Sequence, residues 1–421
     1  MNIKTVSIIG LGYIGLPTAA IVASKGVKVI GVDVSRNVVK TVNKGQVHIV
    51  EEGLEKLVRN VVKKGNLIAT TKPEPAEIFI IAVPTPLEKR TYKPDLSYIE
   101  SASRAIAPKL RAGNLVILES TSPVGTTEKM AAWLQEERPD LSFPQEKGDN
   151  SDIRIAYCPE RVIPGNAIKE LKINNRVIGG LSRRCGEFAE KLYRIFVQSK
   201  CTITDSRTAE LCKLTENSFR DVNIAFANEM SKICEKFSIN VWELIEVANL
   251  HPRVDILNPG PGVGGHCIAV DPWFLVNSAP EQARLVRMAR KINDTKPDWV
   301  IEKTNNLIKE IVESNNGSRL PRLGIAGLTF KQDIDDLRES PAVKIAESFI
   351  IRKDIKLQIV EPHINILPLQ LEPCTLSNNI ITTAEWSDIL LILVPHSMFK
   401  NEIDKIIGRT RIVDVCGILS I

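Results

Sequence analysis

Residues 6–17 read VSIIGLGYIGLP, a β-branched apolar run followed directly by Gly10, Gly12 and Gly15. The run predicts a buried strand, and the helical pattern over residues 17–25 predicts that a helix opens at the glycines. Glycines at this spacing allow a tight turn and let the backbone approach a pyrophosphate, whose charge then faces the helix N-terminus. A tight turn that binds nothing is the alternative interpretation of such a motif in isolation.

An acidic residue, Asp33, closes the next apolar run 18 residues after Gly15. Its carboxylate can accept hydrogen bonds from both hydroxyls of an adenosine ribose, and it would repel the additional phosphate of NADP. Strand, glycine turn, helix and carboxylate together favour NAD as the cofactor, with Tyr13 and Ile14 of the turn among its contacts.

Short apolar strands continue to alternate with helices after this motif, which predicts an α/β fold with a doubly wound parallel sheet. The predicted strands are 6–10, 28–33, 79–83, 115–118, 153–157 and 176–179, and the predicted helices are 17–25, 55–63 and 98–110. The polar segment 140–152 is expected to be a loop. We therefore predict a Rossmann-like NAD-binding domain over residues 1–204.

The middle of the chain has a helical pattern. One helix without internal proline or glycine is predicted over residues 205–237, with Ser206 or Thr208 as its N-cap, and it would be about 45 Å long. Further helical patterns at 241–250 and 281–313 predict a central helical domain, residues 205–313. Strand patterns at 323–327, 357–360, 389–394 and 412–415 then predict a second, smaller Rossmann-like domain over residues 314–421.

Composition excludes several classes of protein. The 421 residues are 43% hydrophobic and 25% charged, which is typical of a globular protein of two or three domains. A net charge of +5 without a basic block argues against nucleic-acid binding. Because the N-terminus lacks the pattern of a secretory signal and no apolar run reaches about 18 residues, we expect a cytoplasmic protein with no membrane partner. The eight cysteines form no CxxC pair, so neither a metal site nor a disulfide framework is expected.

Hydroxyl side chains follow two of the predicted strands. Thr85 lies after the strand 79–83, and the segment ESTSPVGTT, residues 119–127, follows the next strand and contains Thr121 and Thr126. Ligands bind at the carboxyl ends of parallel strands, so Thr85 and Thr126 are candidates for contacts with the nicotinamide half of the cofactor. Capping and termination of the elements would explain the same residues equally well.

Lys213, Asn217 and Arg220 share one stripe of the predicted long helix, at positions i, i+4 and i+7. An ammonium, an amide and a guanidinium on one stripe suit an anionic or hydroxylated substrate. A solvated polar face would produce the same spacing.

Cys267 follows a glycine pair, with Asp271 four residues later in the stretch GGHCIAVD, residues 264–271. A thiol beside a glycine-rich loop can act as a covalent nucleophile if a nearby cation stabilises its thiolate. A lone cysteine is nevertheless more often an inert core residue.

Charged residues concentrate after the first strand of the second α/β region, in the segment GLTFKQDIDDLRESP, residues 327–341. A solvated loop and a capped helix with Pro341 in its first turn explain part of the segment. They do not explain Phe330, Lys331 and Arg338, which can supply a stacking ring and contacts to phosphate.

Taken in order, these segments resemble the nucleotide-sugar 6-dehydrogenase family, which includes UDP-glucose, GDP-mannose and UDP-N-acetylhexosamine dehydrogenases. The resemblance spans the whole chain, and its most specific stretch is GGHCIAVDPWF, residues 264–274. Supporting stretches are IAYCPERVIPG (155–165), AELCKLTENSFRDVNIAFANE (209–229) and FKQDIDDLRESP (330–341). The resemblance implies oxidation of a sugar C6 hydroxymethyl group to a carboxylate with two NAD, for use in bacterial surface glycans such as enterobacterial common antigen.

The resemblance also implies catalytic roles. Cys267 would form a thiohemiacetal and then a thioester, Lys213 and Asn217 would stabilise the oxyanion, and Asp271 would orient or activate the hydrolytic water. Thr121 and Glu160 match residues near the reaction centre.

Further roles follow from the same resemblance. Arg338 would reach the cofactor, and relatives form dimers or larger assemblies in which an arginine matching Arg253 enters the neighbouring site. The residues expected to contact substrate are Arg161, Val162, Lys213, Asn217, Arg220, His251, Arg253, Gly264, Phe330 and Lys331.

One departure from the family pattern concerns the substrate. UDP-glucose and GDP-mannose enzymes carry a second glutamate four residues after the one matching Glu160, where this chain has Pro164. The difference favours an acetamido sugar, and the C2 epimer stays open. Two further functions stay compatible with the dinucleotide motif: a two-electron hydroxyacid dehydrogenase, which needs no thiol, and a non-catalytic NAD-sensing module.

Overall fold

A computed structural model describes residues 3–88, 91–162, 165–265 and 267–420. The chain divides into two compact units, residues 1–216 and 217–421. The division falls within one long helix.

The first unit contains a sheet of eight strands in the order β3-β2-β1-β4-β5-β6-β7-β8. Neighbouring strands are parallel except for β6 and β7, which are antiparallel. The chain winds outward in both directions from β1, which confirms the predicted doubly wound α/β fold. The strands are β1 (Thr5–Ile9), β2 (Lys28–Val32), β3 (Leu67–Thr70), β4 (Ile78–Ile81), β5 (Leu115–Leu118), β6 (Arg154–Tyr157), β7 (Arg176–Gly180) and β8 (Cys201–Asp205).

The central strands are apolar apart from Thr5 and Ser7 of β1, as expected for a sheet that is covered on both faces. Ile8 and Ile80 are paired neighbours in β1 and β4 and point into one hydrophobic core. The next pair, Ile9 and Ile81, points into the core on the opposite face. Continuous β-branched runs of this kind are typical of parallel strands buried on both faces.

Among the described residues of the first unit, eight α-helices precede the long helix and connect these strands. The predicted loop 140–152 contains the short helix α6. The sequence patterns predicted none of the helices α2, α7 and α8 and neither of the strands β3 and β8. The helices are α1 (Gly15–Ser24), α2 (Arg36–Asn43), α3 (Leu54–Lys63), α4 (Ser97–Ile106), α5 (Thr126–Glu137), α6 (Pro144–Lys147), α7 (Ala167–Ile173) and α8 (Arg183–Tyr193).

The predicted long helix is α9, Ser206–Lys236, of 31 residues. Its N-cap is Asp205 and not the predicted Ser206 or Thr208. The Asp205 carboxylate accepts hydrogen bonds from the Thr208 backbone N–H at 2.9 Å and from its hydroxyl at 2.6 Å. A carboxylate one residue before the helix satisfies an N–H that has no partner within the helix.

The second unit contains a five-stranded parallel sheet in the order β11-β10-β9-β12-β13. This sheet confirms the predicted second Rossmann-like region. Its strands are β9 (Arg322–Ala326), β10 (Lys356–Val360), β11 (Thr375–Ser377), β12 (Ile389–Ile392) and β13 (Arg411–Asp414).

The helical pattern predicted over 281–313 is divided into two helices, α12 and α13, which meet at Thr295. Pro297 lies in the first turn of α13, where its missing N–H costs no helical hydrogen bond. None of the described helices combines the length and apolar character needed to cross a membrane. The helices of this unit after α9 are α10 (Val241–Ala248), α11 (Asp271–Ser278), α12 (Arg284–Asp294), α13 (Lys296–Ser314), α14 (Pro341–Ile350), α15 (Ile380–Trp386) and α16 (Ser397–Lys400).

Two glycines of the turn after β1 differ in the space available for a side chain, so their alanine variants can be compared. A Cβ at Gly15 would lie 1.8 Å from the Gly10 carbonyl oxygen, whereas a Cβ at Gly12 would meet no atom within 4 Å. We expect Gly15→Ala to lower the free energy of unfolding by at least about 2 kcal/mol. Gly12→Ala should leave the thermal midpoint within about 2 °C of wild type and weaken NAD binding instead.

Thermal unfolding and NAD titration of both variants check this prediction. Equal destabilisation by the two variants would contradict it, since only a Cβ at Gly15 would clash with the backbone.

Candidate active site

The glycine turn of the first unit has the local geometry of a dinucleotide site. Gly10 has a φ of +93° and follows β1 directly, and Gly15 opens α1. The Asp33 carboxylate at the end of β2 accepts hydrogen bonds from the backbone N–H groups of Leu11 and Ser35 at 3.0 and 2.8 Å. These bonds fix the predicted ribose acceptor against the turn. Tyr13 is exposed and Ile14 is half-buried in the same turn.

The predicted nicotinamide contacts, Thr85 and Thr126, differ in their surroundings. The Thr85 hydroxyl is buried and has no hydrogen-bond partner among the described residues. The Thr126 hydroxyl is also buried, but it donates to the Pro123 carbonyl at 2.7 Å. A buried oxygen without a partner fits a site that a ligand completes. The turn, the Asp33 carboxylate and Thr85 therefore fit NAD.

A buried glutamate from α9 fixes the loop that contains Thr121, which is half-buried. The Glu210 carboxylate accepts hydrogen bonds from the Gly125 N–H at 2.6 Å and from the Thr127 N–H at 2.7 Å. The Thr127 hydroxyl donates to it at 2.6 Å. Glu210 thus supplies the N-terminal cap of α5 from a position 83 residues away, which no local sequence signal indicates.

Glu160 lies in a buried polar cluster at the carboxyl edge of the first sheet. Arg176 donates to Glu160 at 2.7 Å, and the second oxygen of Glu160 accepts the Arg161 N–H at 2.6 Å. Arg176 also lies 3.9 Å from Glu119, which accepts a hydrogen bond from the Tyr193 hydroxyl at 2.6 Å. Glu160 is therefore held as a fixed carboxylate. Sequence reasoning missed Arg176, Glu119 and Tyr193, because they come from three separate elements.

Arg161 and its neighbour Val162 lie at the margin of this cluster. Arg161 forms an ion pair with Glu216 of α9 at 2.5 Å and donates to the Asn175 carbonyl at 3.1 Å. Val162 packs against the core of the first unit. Pro164, where the chain departs from the family pattern, lies outside the described residues.

The predicted stripe on α9 is only partly buried. Lys213 and Asn217 are buried one helical turn apart, whereas Arg220, at the end of the stripe, is exposed. Burial of a lysine and an amide on one face argues against a solvated polar face as the explanation for these two residues.

The second unit brings Asn217 together with the Cys267 loop. The Asn217 amide donates to the buried Asp271 carboxylate at 2.5 Å. Asp271 is the first residue of α11, and its backbone N–H donates to the Cys267 carbonyl at 2.8 Å. The half-buried Cys267 therefore lies in a turn whose end is tied to α9 through one side-chain hydrogen bond.

The glycines before Cys267 allow close contact with the segment after β9. A Cβ at Gly264 would lie 2.7 Å from both the Phe330 Cβ and the Glu339 carbonyl oxygen. Gly265, with a φ of +81°, packs against the Phe330 ring, and its N–H donates to the Arg338 carbonyl at 3.1 Å. Two predicted contact segments are thus adjacent. The Arg338 side chain is exposed and paired with Asp336 at 2.6 Å.

Besides Arg220, three predicted substrate contacts lie on the surface. Lys331 is exposed, as are His251 and Arg253 in the loop after α10. The Arg253 N–H donates to the His251 ring at 3.3 Å. Exposure of His251 and Arg253 leaves both side chains accessible to a ligand or to a second subunit.

Glu119 has an unusual protonation equilibrium. Burial raises the pKa of its carboxyl group to about 7, an effect that the Arg176 charge offsets in part and the Glu160 charge reinforces. The folded chain thus retains this proton at a pH where the unfolded chain has lost it. The contribution of Glu119 to stability is therefore full below about pH 4.5 and is lost as the pH rises to about 7.

We expect Glu119→Gln to remove this loss, because an amide does not ionise. The thermal midpoint of the variant relative to wild type should rise steadily between pH 5 and pH 7.5. Thermal unfolding across that range measures it, with the exposed Glu74→Gln as the matched control. A relative midpoint that does not change with pH would contradict the assignment.

Family models match almost the whole chain. The NAD-binding domain of the UDP-glucose/GDP-mannose dehydrogenase family matches residues 4–197, its central domain matches residues 207–295, and its UDP-binding domain matches residues 324–421. The three domains of the family thus occur along this chain in the order NAD-binding, central and UDP-binding.

Individual relatives agree with these matches. A UDP-N-acetyl-D-mannosamine dehydrogenase of Campylobacter jejuni is 55% identical over 409 residues, covering 96% of this chain and 98% of the relative. An NDP-N-acetyl-D-galactosaminuronic acid dehydrogenase of Ralstonia nicotianae is 52% identical over 421 residues, covering 100% of this chain and 97% of the relative. A solved UDP-D-ManNAc dehydrogenase from Pyrococcus horikoshii superposes with a TM-score of 0.86 at 39% identity, covering 99% of this chain and 96% of that one. The chain therefore belongs to the UDP-glucose/GDP-mannose dehydrogenase family of NAD-dependent nucleotide-sugar dehydrogenases.

Proposed function

We propose that this enzyme oxidises UDP-N-acetyl-D-mannosamine at C6 to the uronate, reducing two NAD, through covalent intermediates on Cys267. The observation that carries the proposal is the hydrogen bond between Asn217 and Asp271, which ties the Cys267 turn to α9. The Campylobacter jejuni relative, 55% identical, supports the choice of sugar. The product would be a uronic acid building block for bacterial surface glycans.

A second candidate substrate is the galactosamine counterpart. The Ralstonia nicotianae relative, named for N-acetyl-D-galactosaminuronic acid, is 52% identical over the full chain, only slightly less than the mannosamine enzymes. UDP-N-acetyl-D-glucosamine differs from the mannosamine substrate only at C2. Each of the three sugars should therefore be offered to the enzyme.

The residues of the first unit would bind the cofactor. Gly10, Gly12 and Gly15 would admit the pyrophosphate, Asp33 would accept hydrogen bonds from the ribose, and Thr85 would bond to the nicotinamide half. NAD bound there accepts one hydride in each of the two oxidations.

The residues of α9 and the Cys267 turn would carry the covalent chemistry. Lys213 would take the proton from the C6 hydroxyl in the first oxidation. The Cys267 sulfur would add to the resulting aldehyde carbon, forming a C–S bond, and the thiol proton would pass to the aldehyde oxygen. Asn217 and Lys213 would donate hydrogen bonds to that oxygen, so that negative charge developing on it is stabilised. In the second oxidation the thiohemiacetal would lose a hydride to a second NAD and its hydroxyl proton to Lys213, once Lys213 has released the first proton to solvent, which leaves a thioester.

Hydrolysis would complete the reaction. Water adds to the thioester carbon, the C–S bond breaks, and the thiol and a carboxylate are released. Asp271 would accept the proton of that water. Glu160, held by Arg176 and the Arg161 N–H, would serve as a fixed acceptor for the water or the sugar, and Thr121 lies in the loop expected beside the reacting carbon.

The thiol requirement separates this reaction from two-electron dehydrogenases. We expect wild type to form two NADH and one uronate per UDP-N-acetyl-D-mannosamine, whereas Cys267→Ser should lower the steady-state rate by at least about 10³-fold because its hydroxyl is a far weaker nucleophile. NADH absorbance and mass spectrometry of the product measure both quantities.

The matched control is Cys374→Ser. Cys374 is also half-buried, and burial raises the pKa of its thiol to about 11, so it should be inert and the variant fully active. One NADH per sugar, or an active Cys267→Ser enzyme, would contradict the four-electron scheme. Unchanged NAD binding without any turnover would instead support a sensing module.

We also propose that the enzyme works as a homodimer or larger assembly in the cytoplasm, where a reducing environment would keep Cys267 a thiol. Apolar side chains along one stripe of α9 are exposed in the single chain, among them Phe219 at 67%, and Phe237, directly after the helix, is 64% exposed. Such a stripe is far more apolar than a solvated helix face needs to be. The other members of the stripe are Leu211, Phe226 and Ile233.

Charges placed in this stripe test the assembly. We expect Phe219→Asp together with Phe226→Asp to convert the protein to monomers, because two carboxylates would be buried without partners at the interface. Sedimentation velocity measures the mass, with Ile351→Asp, at a more exposed apolar residue outside the stripe, as control. A monomeric wild type would contradict the proposal.

A further inference from the structure

A buried carboxylate and a buried histidine accept hydrogen bonds from the backbone of the loop after β9. Glu361, directly after β10, accepts hydrogen bonds from the backbone N–H groups of Leu328 and Thr329 at 2.7 and 3.2 Å. His396, after β12, is fully buried; its Nε2 lies 3.1 Å from the Glu361 carboxylate, and its Nδ1 accepts the Asp333 N–H at 3.0 Å. Three backbone donors of one loop thus converge on two buried side chains.

The hydrogen-bond directions define the state of His396. Because the Asp333 N–H is a donor, Nδ1 must be the acceptor, and Nε2 then carries the proton that faces Glu361. Burial acts to raise the pKa of Glu361, but the hydrogen bond from His396 and the bonds from the backbone donors hold that pKa below its usual range. A neutral histidine against an ionised glutamate satisfies every one of these groups.

The same region contains the one group of described residues with metal-ligand spacing, formed by Asp333, His363 and His396. The lone pair of His396 that would bind a metal is already used by the Asp333 N–H. The Asp333 carboxylate accepts from the Ser397 N–H at 2.9 Å and from its hydroxyl at 2.5 Å. The hydrogen bonds therefore favour a structural network over a metal site.

The network of Glu361 and His396 is hydrogen-bonded to the loop that contains two predicted substrate contacts. Phe330 and Lys331 occupy the loop between Thr329 and Asp333, and the Thr329 hydroxyl donates to the Lys331 carbonyl at 2.8 Å. Phe330 in turn packs against Gly265, two residues before Cys267. Any shift of the loop would move both nucleotide contacts.

We propose that His396 is a positioning residue for nucleotide binding: together with Glu361 it holds the loop 328–333 so that Phe330 and Lys331 can contact the UDP group. This inference rests on the proposed function, since it requires a UDP-sugar as ligand. His396 touches neither reacting atoms nor cofactor in this account.

Two substitutions each preserve half of the network. In His396→Gln the side-chain amide can still donate to Glu361, but nothing accepts the Asp333 N–H; in His396→Asn the short carbonyl can accept that N–H but cannot reach Glu361. We expect each variant, and His396→Ala more strongly, to weaken UDP binding and raise KM for the UDP-sugar by about tenfold, with kcat changed less than about threefold. Calorimetric titration of UDP and steady-state kinetics measure these quantities.

Hydrogen exchange gives a second readout that simple destabilisation would not reproduce. His396→Gln should accelerate exchange at the Asp333 amide and spare Leu328 and Thr329, and His396→Asn should do the reverse. Ile406→Ala is the control, because it removes core volume from the same sheet's packing cluster and has no role in the loop. Its UDP affinity should stay at the wild-type value.

These measurements distinguish a failure of the proposed function from a failure of the positioning role of His396. Wild type that fails to bind UDP would contradict the proposed function. Wild type that binds UDP, with His396→Gln and His396→Asn of unchanged affinity, would overturn the positioning role alone. A rise in thermal midpoint on adding Zn²⁺ that His396→Gln abolishes would overturn it in favour of a metal site.

Discussion

The hydrogen bond between the Asn217 amide and the buried Asp271 carboxylate is the constraint on which the catalytic account depends. It joins α9 to the first residue of α11, and the Asp271 N–H continues the connection to the Cys267 carbonyl. A thiol on a free loop would sample many positions, whereas one held in a turn at a helix N-terminus stays in place for attack on a bound carbon. Lys213, one turn earlier on the same face of α9, gains its proposed role through this connection.

The same kind of interaction stabilises three other loops of the chain. Each loop ends a strand or opens a helix and therefore has backbone N–H groups without partners in regular structure, and a carboxylate from a distant part of its own unit accepts them. Asp33 does so for the glycine turn, Glu210 for the start of α5 and Glu361 for the loop after β9. A carboxylate that accepts several backbone N–H groups holds their loop in one conformation, so these loops are preorganised for ligand binding.

Local pattern predicted the two sheets and the glycine turn, because burial on both faces leaves continuous apolar runs such as those of β1 and β4. It also predicted Asn217, Cys267 and Asp271 as candidates, and the structure brings these three together. It failed where the cause is not local. No local pattern indicates that β6 and β7 pair in antiparallel fashion. The cap of α9 is a residue that the pattern assigned to the helix itself. The partners of Glu210 lie some 83 residues away in the sequence. The helix α2 was missed for a local reason. It has eight residues and little continuous apolar sequence, so its periodic signal is weak.

Covalent capture on Cys267 is the central claim, and mass spectrometry of rapidly quenched reactions tests it most directly. Enzyme mixed with NAD and UDP-N-acetyl-D-mannosamine, then quenched in acid within one turnover, should contain a fraction whose mass is increased by the thioester-linked sugar nucleotide. Proteolysis should place the added mass on the peptide that contains Cys267. Turnover to the uronate with no added mass on that peptide at any quench time, under conditions that preserve a thioester standard, would contradict the account.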